Sequence, residues 1–316
     1  MENTTLKDIA AKLNISAATV SRALNSSGYV SQEVKEKVLR TAEEMNYIPN
    51  AIAKSLKKRR TNTIGMVVPD IANEYYLTAA KGIEDTLYLP DMTLVFSSSN
   101  ESITDEKRIL KVMVQQRVDI LVLATAGSTL EDLHSVGVDR VPVILFDRTI
   151  EGASYEIVVD ENYQKAYSLT EQVIKKGHKN IGIIVGSRRV SPGRERIRGI
   201  QTALEDYGIS LPKTNYFYGD FTREYGKLAA DYFLDFKVVP TAIVSSNNSM
   251  TLGLINRLFE RSKNGASQIF IASYGRIDLD TMFDSDHYGY VEQDPYGMGV
   301  TVGHIINRVL QDKGDE

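Results

Sequence analysis

At 316 residues the chain is too long for one compact core of ordinary size and suits two or three domains. Its 42% hydrophobic and 25% charged residues are a globular mix. No apolar run approaches the roughly 18–20 residues of a membrane helix, and Met1-Glu2-Asn3-Thr4-Thr5 opens no secretory signal. The absence of cysteine excludes disulfides, Cys-based metal sites and a thiol nucleophile, and it fits a cytoplasmic protein. The net charge of −4 is uneven: residues 1–60 hold 11 Lys/Arg against 6 Asp/Glu, a net +5, and the remainder carries −9. A basic head on an acidic body points the head, not the body, toward a polyanion.

Leu6, Ile9, Ala10 and Leu13 repeat at the spacing of an amphipathic helix. Thr5 and Asp8 form a capping-box pair before it, and Asn14 suits the turn that ends it. Ser16 then caps a second helix over 17–25, with Val20 and Leu24 inward. Ser26-Ser27-Gly28 breaks the chain, and Ser31 caps a third helix with Val34, Val38, Ala42 and Met45 on one face. Two short helices joined by a short turn are the helix-turn-helix pattern, whose second helix enters the major groove. That helix would present Ala17, Ala18, Thr19, Ser21 and Arg22. Arg22 suits the bidentate contact to guanine, Thr19 and Ser21 suit phosphates or base edges, and the alanines offer methyl contacts.

Beyond Tyr47-Ile48-Pro49-Asn50, residues 51–60 are helix-compatible and carry Lys54, Lys57, Lys58, Arg59 and Arg60. So short a helix is unstable alone in water and is expected to order only against a partner. Leu56, alone among these charges, suits a wedge into a DNA base step.

Three segments carry a resemblance: Thr5-Leu6-Lys7-Asp8-Ile9-Ala10, Thr19-Val20-Ser21-Arg22-Ala23-Leu24-Asn25, and Asn46 through Leu56. In order and spacing they resemble the lactose-repressor family of bacterial transcription regulators. The resemblance implies a dimer on a pseudo-palindromic operator, with hinge helices in the minor groove. It makes Leu56 the wedge and brings Asn50 and Ala53 to that groove. Thr5, Ser16, Asn25, Tyr47 and Lys57 complete the candidate DNA surface.

After Arg60 the pattern changes. Apolar runs at 64–68, 93–96, 120–123, 143–146, 181–185, 242–244 and 269–272 alternate with longer amphipathic stretches. Near-continuous apolar strands between helices mean parallel sheets covered on both faces, and two such sheets fit the remaining length. The expected fold is an all-α headpiece (residues 1–48), a hinge and linker (49–61), and an α/β effector-binding and dimerisation domain (62–316) of two doubly wound lobes. By resemblance to the family's effector domain, which is like a periplasmic sugar-binding protein, the first lobe spans about 62–160 and 292–316 and the second about 161–291. Family members usually continue past the point where this sequence stops at Glu316; either it is truncated there or the last crossover is missing.

Candidate effector residues follow the strands. Asn73, Tyr75 and Tyr76 follow the first, and the tyrosine faces suit a sugar ring and match the family's aromatic pair. Asp147 and Arg148 follow the fourth, and Asp160 sits at the first expected crossover. Arg196 matches the family's effector-contacting arginine and Phe221 a family cleft position; Asn247, Asn248, Tyr274 and Gln293 complete the set. Two positions depart from the family pattern: Asn247-Asn248 stands where Asn-Asp is common, and Ser273-Tyr274-Gly275 where Gly-Tyr-Asp is common. Two lost carboxylates, together with Arg188, Arg189, Arg194 and Arg196, favour an anionic effector such as a sugar phosphate over a neutral sugar.

No two of His134, His178, His287 and His304 have metal-ligand spacing, and no phosphate-binding glycine loop or nucleophile elbow occurs, so neither catalysis nor a cofactor or metal is expected. A secreted sugar-binding protein would share the body but not the first sixty residues. The expectation is therefore a regulator, a repressor of carbohydrate-metabolism genes, controlled by a sugar or sugar phosphate between the lobes. The alternative is the same fold controlled by a partner protein.

Overall fold

A computed structural model describes residues 4–25, 28–47, 60–88, 91–261, 269–277 and 287–312. The chain divides into two compact units, Met1–Thr61 and Asn62–Glu316.

The first unit contains three helices among its described residues: α1 (Leu6–Leu13), α2 (Ala17–Asn25) and α3 (Gln32–Glu44). The Asp8 carboxylate accepts the Thr5 amide at 2.7 Å and its hydroxyl at 2.6 Å, tying down the start of α1. Asn14 closes α1 in the left-handed region at φ 53°, which asparagine tolerates. The Ser16 hydroxyl accepts the Thr19 amide at 3.1 Å and opens α2. Ser31 occupies the N-cap of α3 but makes no side-chain capping bond. Ile9, Val20, Ala23 and Val38 form the centre of a small core, each at most 1% exposed.

Among its described residues the second unit holds two five-stranded sheets, and every strand pair is parallel. The first contains β1 (Thr63–Val68), β2 (Thr93–Ser98), β3 (Ile120–Leu123), β4 (Val143–Phe146) and β5 (Glu156–Val158), in the order β2-β1-β3-β4-β5. The second contains β6 (Ile181–Val185), β7 (Tyr216–Tyr218), β8 (Ala242–Ser245), β9 (Phe270–Tyr274) and β10 (Tyr288–Val291), in the order β10-β9-β8-β6-β7. Both sheets are thus wound alike, with the order reversing between β1 and β3 and again between β6 and β8. The central strands and the edge strand β2 are the expected apolar runs. The short edge strands β5, β7 and β10 were not among them: Glu156 and Ile157 of β5 and Tyr218 of β7 are exposed, so these strands lack a two-sided apolar signature.

Helices cover both faces of each sheet. α4 (Glu74–Thr86) and α11 (Pro295–Asp312) pack on the face of the first sheet presented by Ile64, Met66 and Val68. α5 (Ile103–Gln115) and α6 (Leu130–Ser135) cover the face that carries Val67, Leu121 and Leu123. On the second sheet, α7 (Asn162–Lys175) and α8 (Ser191–Asp206) face α9 (Arg223–Leu234) and α10 (Asn248–Arg261) across the strands. α11 approaches α4 closely because Gly82 and Gly299 have no side chain; a Cβ at either would run into the carbonyl of Tyr296 or Ala79. The chain crosses from the first sheet to the second between β5 and α7, and returns between β10 and α11.

Candidate functional site

In the headpiece, Ala18, Arg22 and Asn25 are exposed, and Thr19 and Ser21 are half-buried. Ala17 turns partly inward and packs on the headpiece core, so it is a weaker candidate for a methyl contact than Ala18. The Ser16 and Thr19 hydroxyls bond each other at 2.9 Å, and Asn25 donates to the Ser21 carbonyl at 2.8 Å. These bonds hold the polar side chains of α2 in place, leaving the Arg22 guanidinium as its long exposed donor. Thr5 is exposed with its hydroxyl pinned by Asp8, and Tyr47 packs on the core. Asn50, Ala53, Leu56, Lys57 and Lys58 lie outside the described residues.

In the second unit, the ends of the strands meet in one cleft. In doubly wound sheets the crevice lies beyond the strand carboxyl ends, where strand order reverses. Its walls are Asp70, Asn73, Tyr75 and Tyr76 after β1, Glu101 after β2, and Asp147 and Arg148 after β4. Facing them are Pro192 and Arg196 from α8, Asp220, Phe221 and Thr222 after β7, and Asn247 and Asn248 after β8, with Gln293 after β10. A bond from the Thr149 amide to the Ser191 hydroxyl, 2.9 Å, ties the two walls together. The enclosed space is only ≈ 40 Å³.

The tyrosine pair does not offer its faces to a ligand as expected. Tyr75 and Tyr76 are 8% and 4% exposed, meet edge to face at 5.2 Å, and pack against Phe146. Their hydroxyls donate to Asp147 at 3.3 and 2.9 Å, so they hold that carboxylate in position. Burial first, then the Asp147 charge, pushes both phenols well above their ordinary pKa and keeps them protonated donors. Asn73 caps α4 by accepting the Tyr75 amide at 3.1 Å.

Arg148 is buried and already paired. Its Nη1 and Nη2 donate to the two Glu101 oxygens at 2.8 and 2.6 Å, and Nη1 also donates to the Thr125 carbonyl at 2.9 Å. Arg196 is 4% exposed; Nε donates to Asn162 Oδ1 at 2.7 Å and Nη1 to the Ser246 carbonyl at 2.8 Å. The Tyr274 ring lies 3.8 Å beneath its guanidinium carbon, so the group is clamped from below and from one edge. Phe221 sits between the two guanidiniums, at 5.6 Å from Arg148 and 6.0 Å from Arg196. Phe221, Asp147 and Glu101 all hold positive φ, at 72°, 62° and 57°. Such strain costs about 1–3 kcal/mol per residue and gathers at functional sites.

Two candidates stand behind the cleft instead of lining it. The Tyr274 hydroxyl, fully buried, donates toward Asp160 Oδ2 at 3.1 Å and Asn162 Oδ1 at 3.3 Å. Burial above all raises its pKa. Asp160 also accepts Lys165 at 2.6 Å and Gln293 at 3.4 Å, joining the two crossovers between the sheets. Asn247 and Asn248 cap the start of α10, accepting the Met250 and Ser249 amides at 2.9 and 2.8 Å.

The arginine run does not make the cleft cationic. Arg188, Arg189 and Arg194 are exposed; Arg188 covers the Tyr218 ring at 5.2 Å, and Arg194 donates to the Arg189 carbonyl at 2.9 Å. Arg196 alone of the four lines the cleft, because it lies on the inward face of α8. Against Arg148 and Arg196 stand Asp70, Glu101, Asp147 and Asp220, so the charge balance opposes the anionic effector expected from the sequence. Glu101, Asp70 and Asn162 escaped sequence reading, although Glu101 follows β2 as Asp147 follows β4. Among the described residues no His, Asp and Glu cluster could hold a metal ion, and no helix is long and apolar enough to cross a membrane.

Comparison with known proteins agrees with this architecture. Residues 5–50 match the family model of bacterial regulatory proteins of the lacI family. Residues 61–286 match periplasmic binding proteins and the sugar binding domain of the LacI family. Catabolite control protein A of Priestia megaterium is 29% identical over 98% of this chain and 93% of its own length. The HTH-type transcriptional repressor PurR of Photobacterium profundum is 29% identical over 99% and 93%. A crystal structure of the lac repressor dimer bound to operator and the anti-inducer ONPF superposes with a TM-score of 0.78, covering 98% of this chain and 92% of that one at 23% identity. With a helix-turn-helix head and a two-sheet ligand cleft both matched, the chain belongs to the lacI family of bacterial regulatory proteins and is a ligand-responsive transcriptional repressor, not an enzyme.

Proposed function

We propose that the protein acts in the cytoplasm as a homodimer on a pseudo-palindromic operator, represses carbohydrate-metabolism genes, and is controlled by a neutral sugar in the cleft between its two sheets. The observation that carries this reading is the set of side chains around Arg196. Arg148 and Arg196, each held by neighbours, flank the Phe221 ring, and Asp147, held by the Tyr76 hydroxyl, lines the same cleft. Fixed carboxylates and guanidiniums suit paired hydroxyls, and an aromatic face suits the apolar face of a sugar ring. The match to the sugar binding domain of the LacI family supports the ligand class, and the operator-bound dimer of the similar lac repressor supports the DNA reading.

The mechanism follows from linkage. A cavity of ≈ 40 Å³ is far below the roughly 300–1,000 Å³ of ligand sites, so a ligand enters only if the walls part. The ligand then favours one spacing of the lobes over another, and operator affinity shifts by its differential affinity for the two states. Calorimetry with neutral sugars and their phosphates, paired with operator-binding titrations, tests the proposal. Binding of a phosphate but not its parent sugar, or of neither, overturns the neutral-sugar reading. The small cavity also favours a second reading, control by a partner protein; capture of one protein from cell extract, with no sugar response, would establish that instead.

A further inference from the structure

Glu106, on the first turn of α5, has no exposed surface and does not line the cleft. A charge so placed is destabilising unless it is hydrogen-bonded. The bonds it accepts come from the loop between β3 and α6: the Thr125 hydroxyl donates to Oε1 at 2.9 Å and the Ala126 amide to Oε2. Thr125 Oγ1 in turn accepts the Gly127 and Ser128 amides, each at 3.0 Å, so the loop is folded around this one carboxylate. Burial raises the Glu106 pKa, against the pull of the loop's hydrogen bonds and the Arg148 charge. The other charged groups packed nearby have partners of their own. Glu101 is bound to Arg148, Lys107 pairs with Asp132 at 2.8 Å, and Asp147 accepts the Tyr75 and Tyr76 hydroxyls. The loop reaches the cleft in two directions. The Thr125 carbonyl accepts Arg148 Nη1 at 2.9 Å and so helps to fix a guanidinium that lines the cleft. Gly127, at φ 114°, faces the second lobe: a Cβ there would lie 3.8 Å from Val190 Cγ1 and 3.9 Å from the Arg189 Cβ. Val190 is buried, so the lobes meet at this loop.

We propose that Glu106 is a positioning residue of the effector cleft: by holding the 125–128 loop it sets both the Arg148 guanidinium and the surface on which the second lobe rests. It acts through Thr125 on one side and Gly127 on the other. The ionised form is the one that fits, because each carboxylate oxygen already accepts a donor. A protonated Glu106, or the amide of a glutamine in its place, turns a donor against the Thr125 hydroxyl or the Ala126 amide. Protonation should therefore loosen the loop and move Arg148 with it. The inference holds for any ligand class, so it stands or falls separately from the sugar reading.

Two probes on the full-length protein test this. One is the Nε–Hε NMR resonance of Arg148 in protein labelled with nitrogen-15 arginine, identified by its loss in Arg148→Lys. The other is the hydrogen-exchange protection of the 125–128 amides. In the wild type both are expected to change together as pH falls, with a shared midpoint above the ordinary glutamate value. Glu106→Gln should shift the Arg148 resonance and lower protection of those amides at least about tenfold at neutral pH, the scale of losing a charged acceptor. It should also abolish the pH dependence of both probes. Glu106→Asp, one methylene shorter but still ionisable, should restore the pH dependence with protection below that of the wild type. A merely structural role would lower the melting temperature and leave the Arg148 resonance and its pH profile unchanged, and that result overturns the proposal. So do separate midpoints for the two probes, or a pH dependence that survives in Glu106→Gln. If circular dichroism shows that Glu106→Gln does not fold, the wild-type midpoints and Glu106→Asp decide between the same outcomes.

Discussion

Phe221 allows a sharp test of the cleft's construction. Its ring lies directly over Gly186, where a Cβ would occupy the ring's own position, and its backbone is held at φ 72°. Truncating a fully buried Phe to Ala costs about 3–5 kcal/mol. Phe221 is half-buried, so about 2 kcal/mol is the packing share. Losing two cation–π contacts adds about 0.5–1 kcal/mol each. Phe221→Ala keeps the strained backbone, whereas Phe221→Gly removes a left-handed penalty of about 1–2 kcal/mol, partly offset by the freer unfolded chain. Phe221→Gly should thus be less destabilising than Phe221→Ala by about 1 kcal/mol, or roughly 2–4 °C in melting temperature. The assay is differential scanning calorimetry of full-length protein, following the transition of the larger unit. An alanine variant melting at or above the glycine variant would refute the assignment of strain to this position.

Other consequences concern DNA and pH. Arg22→Ala should lose about 1–3 kcal/mol of operator discrimination, read as the ratio of operator to scrambled-site affinity; unchanged discrimination would remove Arg22 from base reading. Lys58→Ala should weaken operator and scrambled DNA alike and reduce the slope of log K against log salt by about 0.9. Asp132, held by Lys107 at 2.8 Å and the Thr129 amide at 3.0 Å, has its pKa lowered to about 2. A depressed carboxylate stabilises the fold above its unfolded pKa and loses that contribution as pH falls through the folded one. Asp132→Asn should therefore cost about 1 kcal/mol at pH 7, allowing for solvent screening, and only a small fraction of that near pH 2, where the native carboxyl is half protonated, measured by denaturant titration at both values.

The central strands were readable because parallel strands covered on both faces are apolar without interruption: Ile120–Leu123 and Val143–Phe146 are buried at every position. The edge strands β5, β7 and β10 escaped because one side meets solvent, as in Glu156–Val158; the edge strand β2 did not, because its run Thr93–Phe96 is apolar after Thr93. The cleft was legible as a set of positions after strands, but not as a set of roles. Tyr75 and Tyr76 are aromatic in sequence, yet it is their hydroxyls on Asp147, 71 and 72 residues away, that the fold employs. The four arginines look like one charge cluster in sequence. Only the helical phase of α8 separates Arg196, facing in, from Arg194, facing out. The Glu101–Arg148 pair spans 47 residues, and nothing local announces it.

The last helix has a consequence for how the protein is made. Val302, Ile306 and Leu310 of α11 complete the core begun by Ile64, Met66 and Val68, so the first sheet's hydrophobic face closes with residues that follow the whole second lobe in sequence. Strands β6–β10 and helices α7–α10 form one uninterrupted stretch and need nothing beyond it to cover both faces of their sheet. During synthesis the N-terminal lobe therefore waits, one face uncovered, while the lobe made after it can finish first. A released chain cut back to residue 294 would hold a finished second lobe and a protease-sensitive first one. Order of synthesis and order of completion are reversed in this molecule, and the reversal is set by where α11 docks.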